Sequence, residues 1–251
     1  MYIDRRLIFL IIALMLFSSF ITLFSNRGAL LSFVLSIPGI LIAITFHEFA
    51  HAFAADKLGD DTPRRQGRLN LNPFKHLDPF GTIMLVFAGF GWGKPVEINP
   101  RNFNRDISLS KAEAIVAAAG PIMNLIIAVV FEIILCLVVK FAPGFEVIGG
   151  TILASNQVWG IVASVISGVI SINIGLGIFN LIPLPPLDGS KILSGFLPYG
   201  ARNWLDSHSQ IFEIIFVALW IVGILSLIIS PIILIVNNSL TNLFLSMFGL
   251  M

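Results

Sequence analysis

Residues 28–51 read GALLSFVLSIPGILIAITFHEFAH, nineteen uncharged and mostly apolar positions that run straight into His47-Glu48-Phe49-Ala50-His51. About 20 apolar residues are what a helix needs to cross the hydrocarbon core of a bilayer. Ionisable side chains at the end of such a run are costly unless they face protein or a water-filled cavity. On a helix the two histidines lie about 40° apart in azimuth and roughly one turn apart in height, so both imidazoles can reach one metal ion. Glu48 falls on the adjoining face, where it suits proton transfer to and from a metal-activated water better than ligation. The competing reading is that the helix has already left the membrane and the trio is solvated, since Asp56, Lys57 and Asp60 follow closely.

The rest of the chain agrees that the bilayer is its solvent. Of 251 residues, 57% are hydrophobic and 12% charged, with mean hydropathy +0.94, well outside the range of ordinary soluble domains. Uncharged runs at 7–26, 28–46, 114–131, 147–187 and 214–251 predict spans near 7–26, 29–55, 112–139, 156–182, 211–229 and 231–249. The last two are separated at Ser230-Pro231 and the Asn237-Asn238-Ser239 cluster. The expected fold is an all-α polytopic membrane protein of five to six transmembrane helices, forming one domain over 1–251. Arg5 and Arg6 precede the first apolar run as in a secretory signal, but no small-x-small pattern ends it, so a retained helix is expected. Cys136 is the single cysteine, which excludes an intrachain disulfide and makes a thiolate metal site an unfavourable reading. A net charge of +1 without a basic, aromatic-lined groove points away from nucleic acid.

Lysine and arginine set the expected orientation. With the N-terminus in the cytosol and 7–26, 29–55, 112–139, 156–182 and the following span each crossing once, thirteen basic residues fall inside and only Arg27 and Lys140 outside, as the positive-inside rule requires. The cytosolic loop 56–111 is the one large extramembrane segment. Its apolar run 82–90 is too short to span, and with 91–100 it predicts a small membrane-associated strand and turn around 82–100, or a loop resting on the bilayer surface.

A catalytic zinc takes three protein ligands and leaves a position open for water. Asp188 is the third candidate. Residues 180–189, NLIPLPPLDG, end a 41-residue uncharged stretch with three prolines that cannot continue a helix, and irregular backbone at membrane depth is tolerated only where it is buried or lines a cavity. The orientation brings His47, His51 and Asp188 to the same side independently of the motif. The alternative for Asp188 is a turn residue in an Asp-Gly pair.

These residues resemble the site-2 protease family of intramembrane zinc metalloproteases, in its compact form without PDZ or CBS domains. The resemblance runs from about 35 to 205 and rests on His47–Ala52, Asn72–Gly81, Gly91–Val96, Gly120–Asn124 and Asn180–Gly189, in that order. It implies one zinc per chain held by His47, His51 and Asp188, with Glu48 as general base. Asn124 and Asn180 would lie beside the site as hydrogen-bond donors to the substrate or its oxyanion. Gly91, Trp92, Gly93, Lys94 and Pro95 would form a strip against which an extended transmembrane protein substrate pairs, in the plasma membrane with the active site facing the cytosol. Two other readings use the same residues: a membrane metal carrier or transporter, and a catalytically silent metal-binding scaffold. His76 is read as a solvated or locally hydrogen-bonded loop residue, with a supporting role near the metal as the alternative, and His208 as a surface residue. Glu132, inside an apolar run, either lines a cavity or reaches outward. The small residues Gly160, Ser164, Gly168, Ser171 and Gly175 recur at helical spacing and predict close helix packing.

Overall fold

The computed structural model describes residues 17, 18, 20–88 and 92–251, without the side chains of 85–88. Most of the span expected at 7–26, and Gly91, lie outside the described residues. The long helices are α1 (Arg27–Lys57), α4 (Leu109–Phe141), α5 (Gln157–Asn180) and α9 (Ile224–Met247), each long and apolar enough to cross a membrane. Shorter helices are α2 (Thr62–Arg65), α3 (Pro79–Ala88), α6 (Asp188–Ser194), α7 (Tyr199–Ser207) and α8 (Ser209–Ile221). The chain is thus a polytopic helical membrane protein.

Asparagine starts two of the spans. The Asn26 side chain accepts from the Gly28 and Ala29 amides, and Asn156 does the same for Val158 and Trp159 before α5. Each satisfies donors that the first turn of a helix leaves without intrahelical partners. In the 56–111 segment the same chemistry recurs before proline: Asn72 and Asn99 each cap a 3-10 turn opened by Pro73 or Pro100, and Asp78 accepts the Gly81 amide at 2.6 Å as α3 begins at Pro79. This last cap corrects the strand expected around 82–100. An aspartate followed by proline at the first helical position nucleates a helix, and the apolar run behind it lacks the polar alternation of a half-buried strand. Among the described residues a single antiparallel bridge, Leu77 with Gly93, remains of the strand. The two-stranded sheet lies elsewhere, as a hairpin of β1 (Phe145–Ile148) and β2 (Thr151–Ala154). Its two-residue turn is Gly149-Gly150, both at positive φ, as a type I′ turn demands.

Helices α1, α4 and α5 pack on one another. Between helices in lipid there is little hydrophobic driving force, so association depends on close van der Waals fit. That fit is supplied by small residues such as Ala43, Ala52, Ala55 and Ala128, all fully buried. At Gly39 a Cβ would stand 2.9 Å from Ile172 Cδ1 and 3.1 Å from Val169 Cα, so a side chain there would push α1 off α5. Of the five small residues noted on α5, Gly168 sits near the Leu35 carbonyl of α1 and Gly175 near Ile233 of α9, whereas Ser164 is exposed and bonds its own helix. Outward faces carry exposed Ile214, Leu227, Leu234 and Ile235, an arrangement unfavourable in water and required in lipid.

The C-terminal spans differ from expectation. Helix α8 ends at Ile221, the break falls at Val222-Gly223 rather than Ser230-Pro231, and α9 runs unbroken through Pro231. Gly223 adopts φ +83°, a conformation open to glycine at little cost, whereas a proline within a membrane helix costs only one hydrogen bond that neighbours can replace.

Candidate metal centre and its cavity

His47 and His51 lie near the C-terminal end of α1, both buried. Helix α4 crosses behind them and fixes each ring by its far nitrogen. His51 Nδ1 lies 2.7 Å from the Val116 carbonyl oxygen, and His47 Nδ1 lies 2.7 Å from Asn124 Oδ1. A carbonyl can only accept, so His51 carries its proton on Nδ1. Asn124 spends its amide protons on the Ala43 carbonyl and on Asn173 Oδ1, which leaves its oxygen for a proton on His47 Nδ1. In the neutral rings both Nε2 atoms are therefore lone-pair donors, and they face each other at 3.0 Å.

Asp188 completes the triangle. The three prolines of 183–186 stop α5, and the chain turns back so that α6 starts at Asp188. Gly189 is needed for that return, because a Cβ there would come within 2.3 Å of the Ile182 carbonyl and 2.4 Å of the Leu181 carbonyl. Asp188 Oδ2 stands 3.1 Å from His47 Nε2 and 3.3 Å from His51 Nε2, with no hydrogen-bond donor of its own among the described residues. Three electron-pair donors at these separations repel unless a cation sits among them. Ligand bonds of 2.0–2.1 Å in a tetrahedron give edges of about 3.3 Å, so the residues present fit zinc. Gly120 of α4 closes the back of the site, since its Cβ would fall 2.5 Å from His51 Nε2.

Glu48 faces the same cavity, which measures about 990 Å³ and is lined by the three presumptive ligands with Ile40, Trp92, Pro95, Phe179 and Lys191 among others. Its Oε2 accepts the Val96 amide at 3.1 Å and lies 3.9 Å from Arg68 Nη2. Arg68 is buried and donates to the carbonyls of Lys75 and Lys94, bracing the 92–98 strip against α1. Burial pushes its guanidinium below the ordinary arginine value despite Glu48 and Glu97 nearby.

The strip is placed by the loop that follows α1. Asp60, fully buried, accepts from the Thr62 amide and hydroxyl, the Asn99 amide and Asn102 Nδ2. Burial alone would raise its carboxyl; the hydrogen bonds outweigh it and hold Asp60 below the usual carboxylate range. Gly93 passes so close that a Cβ would touch Ile44, the His76 carbonyl and Glu48.

Asn124, expected beside the substrate, instead stands behind His47, fully buried with both amide protons spent. Asn180 does line the cavity, but its Nδ2 donates to Leu176 O on its own helix. Trp92, Gly93 and Pro95 line the cavity, while Lys94 is tied back through its amide to the His76 carbonyl. His76 is buried rather than solvated: its Nε2 bonds the Asn70 carbonyl, and burial pushes its pKa down. His208 is half-buried and bonded to Trp204 O. Arg68, Asn173 and the Val116 carbonyl escaped the sequence reading. Arg68 is only the last of a run of arginines, Asn173 one polar residue in a long apolar helix, and a carbonyl leaves no mark in sequence.

A family model described as Peptidase family M50 matches residues 35–223. The chain is 38% identical over 209 residues to "Putative zinc metalloprotease YwhC" of Bacillus subtilis (strain 168), covering 83% of this chain and 90% of that protein. It is 29% identical over 168 residues to "Putative zinc metalloprotease Rip2" of Mycolicibacterium smegmatis, covering 66% of this chain and 58% of that protein. The Rip2 protein of Mycobacterium tuberculosis strain H37Rv is 26% identical over 188 residues, 73% of this chain and 65% of its own. No solved structure matches.

Proposed function

The chain belongs to peptidase family M50 and is a zinc metalloprotease of the membrane, and from that premise we propose that it cleaves peptide bonds in or near transmembrane segments, with Glu48 as general base and His47, His51 and Asp188 as ligands. The single observation that supports these ligands is the triangle of opposed lone pairs, both rings being locked with their protons on Nδ1. Zinc, when bound, supplies a Lewis acid that polarises a carbonyl and brings the pKa of a water to about 7.

Glu48 takes a proton from the attacking water and returns it to the leaving nitrogen. The Val96 amide and Arg68 hold its carboxylate toward the cavity, so the carboxylate need not be reorganised during the reaction. A helical substrate hides its carbonyls in its own hydrogen bonds, so the scissile segment has to enter extended. The strip from Trp92 to Ile98 borders the cavity, so an extended segment can run alongside it, the Lys94 and Val96 amides being already bonded within the protein. The basic-residue distribution supports a cytosolic N-terminus and active-site face; we further propose that the whole chain acts as one membrane-embedded unit in the plasma membrane.

The test is zinc content and cleavage of a transmembrane substrate by purified wild type beside Glu48→Gln and Asp188→Asn. Glu48→Gln is expected to keep zinc and lose at least about 100-fold in cleavage rate, and Asp188→Asn to lose zinc. Cleavage by Glu48→Gln at the wild-type rate would remove Glu48 from the mechanism.

A further inference from the structure

Glu132 has no part in the chemistry above. It lies two helical turns beyond Asn124 on α4, roughly 12 Å further from the metal ligands, and is fully buried. One carboxylate oxygen, Oε1, accepts the Thr241 hydroxyl at 2.6 Å; the other, Oε2, is buried without a hydrogen-bond partner. No lysine or arginine among the described residues pairs with it, and Lys140, two turns on, is spent on the Phe248 carbonyl. A buried carboxylate oxygen without a partner is costly and calls for a proton, a water or a cation at that point.

What surrounds it favours a cation. Glu132 lines a second cavity of about 400 Å³, remote from the metal centre, with Ser167 of α5, the Gly149-Gly150 turn, and Asn237, Asn238, Thr241 and Asn242 of α9. Those four α9 residues share one helix face by their spacing; Asn237 and Thr241 are half-buried and Asn238 and Asn242 stand at the cavity's exposed rim. Asn242 Oδ1 packs so closely on Gly150 that a Cβ there would be 2.4 Å away. Every donor atom on offer is an amide, hydroxyl, carbonyl or carboxylate oxygen, the set that hard cations take. Thr241 gives its proton to Glu132 and keeps its lone pairs for the ion. Divalent ions are held by several carboxylates or phosphates; here there is one negative charge.

We propose that Glu132, Thr241 and the α9 amides bind a monovalent alkali cation of the sodium class, partly hydrated, that holds α9 against α4 and the 149–150 turn. The proposal stands independently of the protease mechanism.

The experiment is thermal unfolding of the purified full-length protein in detergent, with sodium chloride exchanged for choline chloride at constant ionic strength and zinc content monitored throughout. Sodium at ten times its half-saturating concentration is expected to raise the wild-type Tm by about 3–5 °C. Glu132→Gln should abolish the shift, and Thr241→Val should raise the half-saturating concentration at least about ten-fold. Sodium-23 linewidths of the wild type read the same site if Glu132→Gln does not fold. Identical melting in sodium, potassium, lithium and choline would overturn the proposal, as would a sodium effect that survives in Glu132→Gln. A Tm that follows pH but not the cation would make Glu132 a protonated structural acid, and would equally overturn it.

Discussion

Replacing Gly120 by alanine adds one carbon directly behind the metal centre without touching a ligand. That carbon would sit 2.5 Å from His51 Nε2, 2.6 Å from His47 Cε1 and 2.7 Å from His51 Cε1. The shortest of these is about 0.9 Å short of the 3.4 Å at which such contacts become ordinary. Zinc sites hold their distances to about 0.2 Å, so the rings cannot yield enough while both remain ligated. The loss in zinc affinity should reach at least about 100-fold, or about 2.7 kcal/mol, the upper end of what supporting residues around a zinc site contribute. Helix propensity acts the other way: glycine to alanine inside a helix gains about 1 kcal/mol, which offsets part of the cost, about 1 kcal/mol each, of loosening the ring bonds to Asn124 and Val116 as the rings move aside in metal-free protein. Tm without metal should therefore change far less than zinc affinity. The assay is competition with a chromophoric chelator alongside thermal unfolding of metal-free protein. Gly160→Ala serves as control, because its Cβ would meet only Ala154 Cβ at 3.4 Å. Zinc binding by Gly120→Ala within about three-fold of wild type, below the smallest of these effects, would refute the geometry.

Asn124→Ala removes the acceptor on His47 and leaves the ring free to turn; zinc affinity should fall about 10- to 100-fold, read by the same competition. Asp60 makes stability pH-dependent in a set direction. Its folded pKa lies below the unfolded value, so its contribution is complete above about pH 4 and is lost as pH falls through the folded pKa. At pH 7 wild type should exceed Asp60→Asn by on the order of 2–3 kcal/mol, and the gap should close below about pH 4. A gap that is constant in pH would show that the ionised carboxylate is not what holds the loop.

Much of the candidate site was legible because helix periodicity converts sequence spacing into geometry. A spacing of four between His47 and His51 suffices to bring two imidazoles together, and the prolines before Asp188 mark a broken helix without any tertiary knowledge. The 79–88 helix is signalled only by Asp78 before Pro79, because the ten-residue apolar run behind that cap is too short to show a helical period of its own. The break near 222 was misplaced because Pro231 is a breaker in water, whereas Gly223 acts through a left-handed conformation that composition does not reveal. Asn124 stood in a recognisable motif, yet which atoms it would face depended on where α4 crosses α1.

By itself the sequence determined the solvent of this protein and its membrane-spanning character, and it singled out His47, His51 and Asp188 as candidate ligands with Glu48 as candidate base, since each depends on hydropathy or on intervals along one chain. Only the tertiary structure decided how those ligands are held. The proton positions on His47 and His51 come from Asn124 and Val116, respectively, on another helix, the close approach from Gly120, and the bracing of Glu48 from Val96 and Arg68. These are contacts between segments 20 to 77 residues apart, and their pairing is set by helix packing rather than by any local interval.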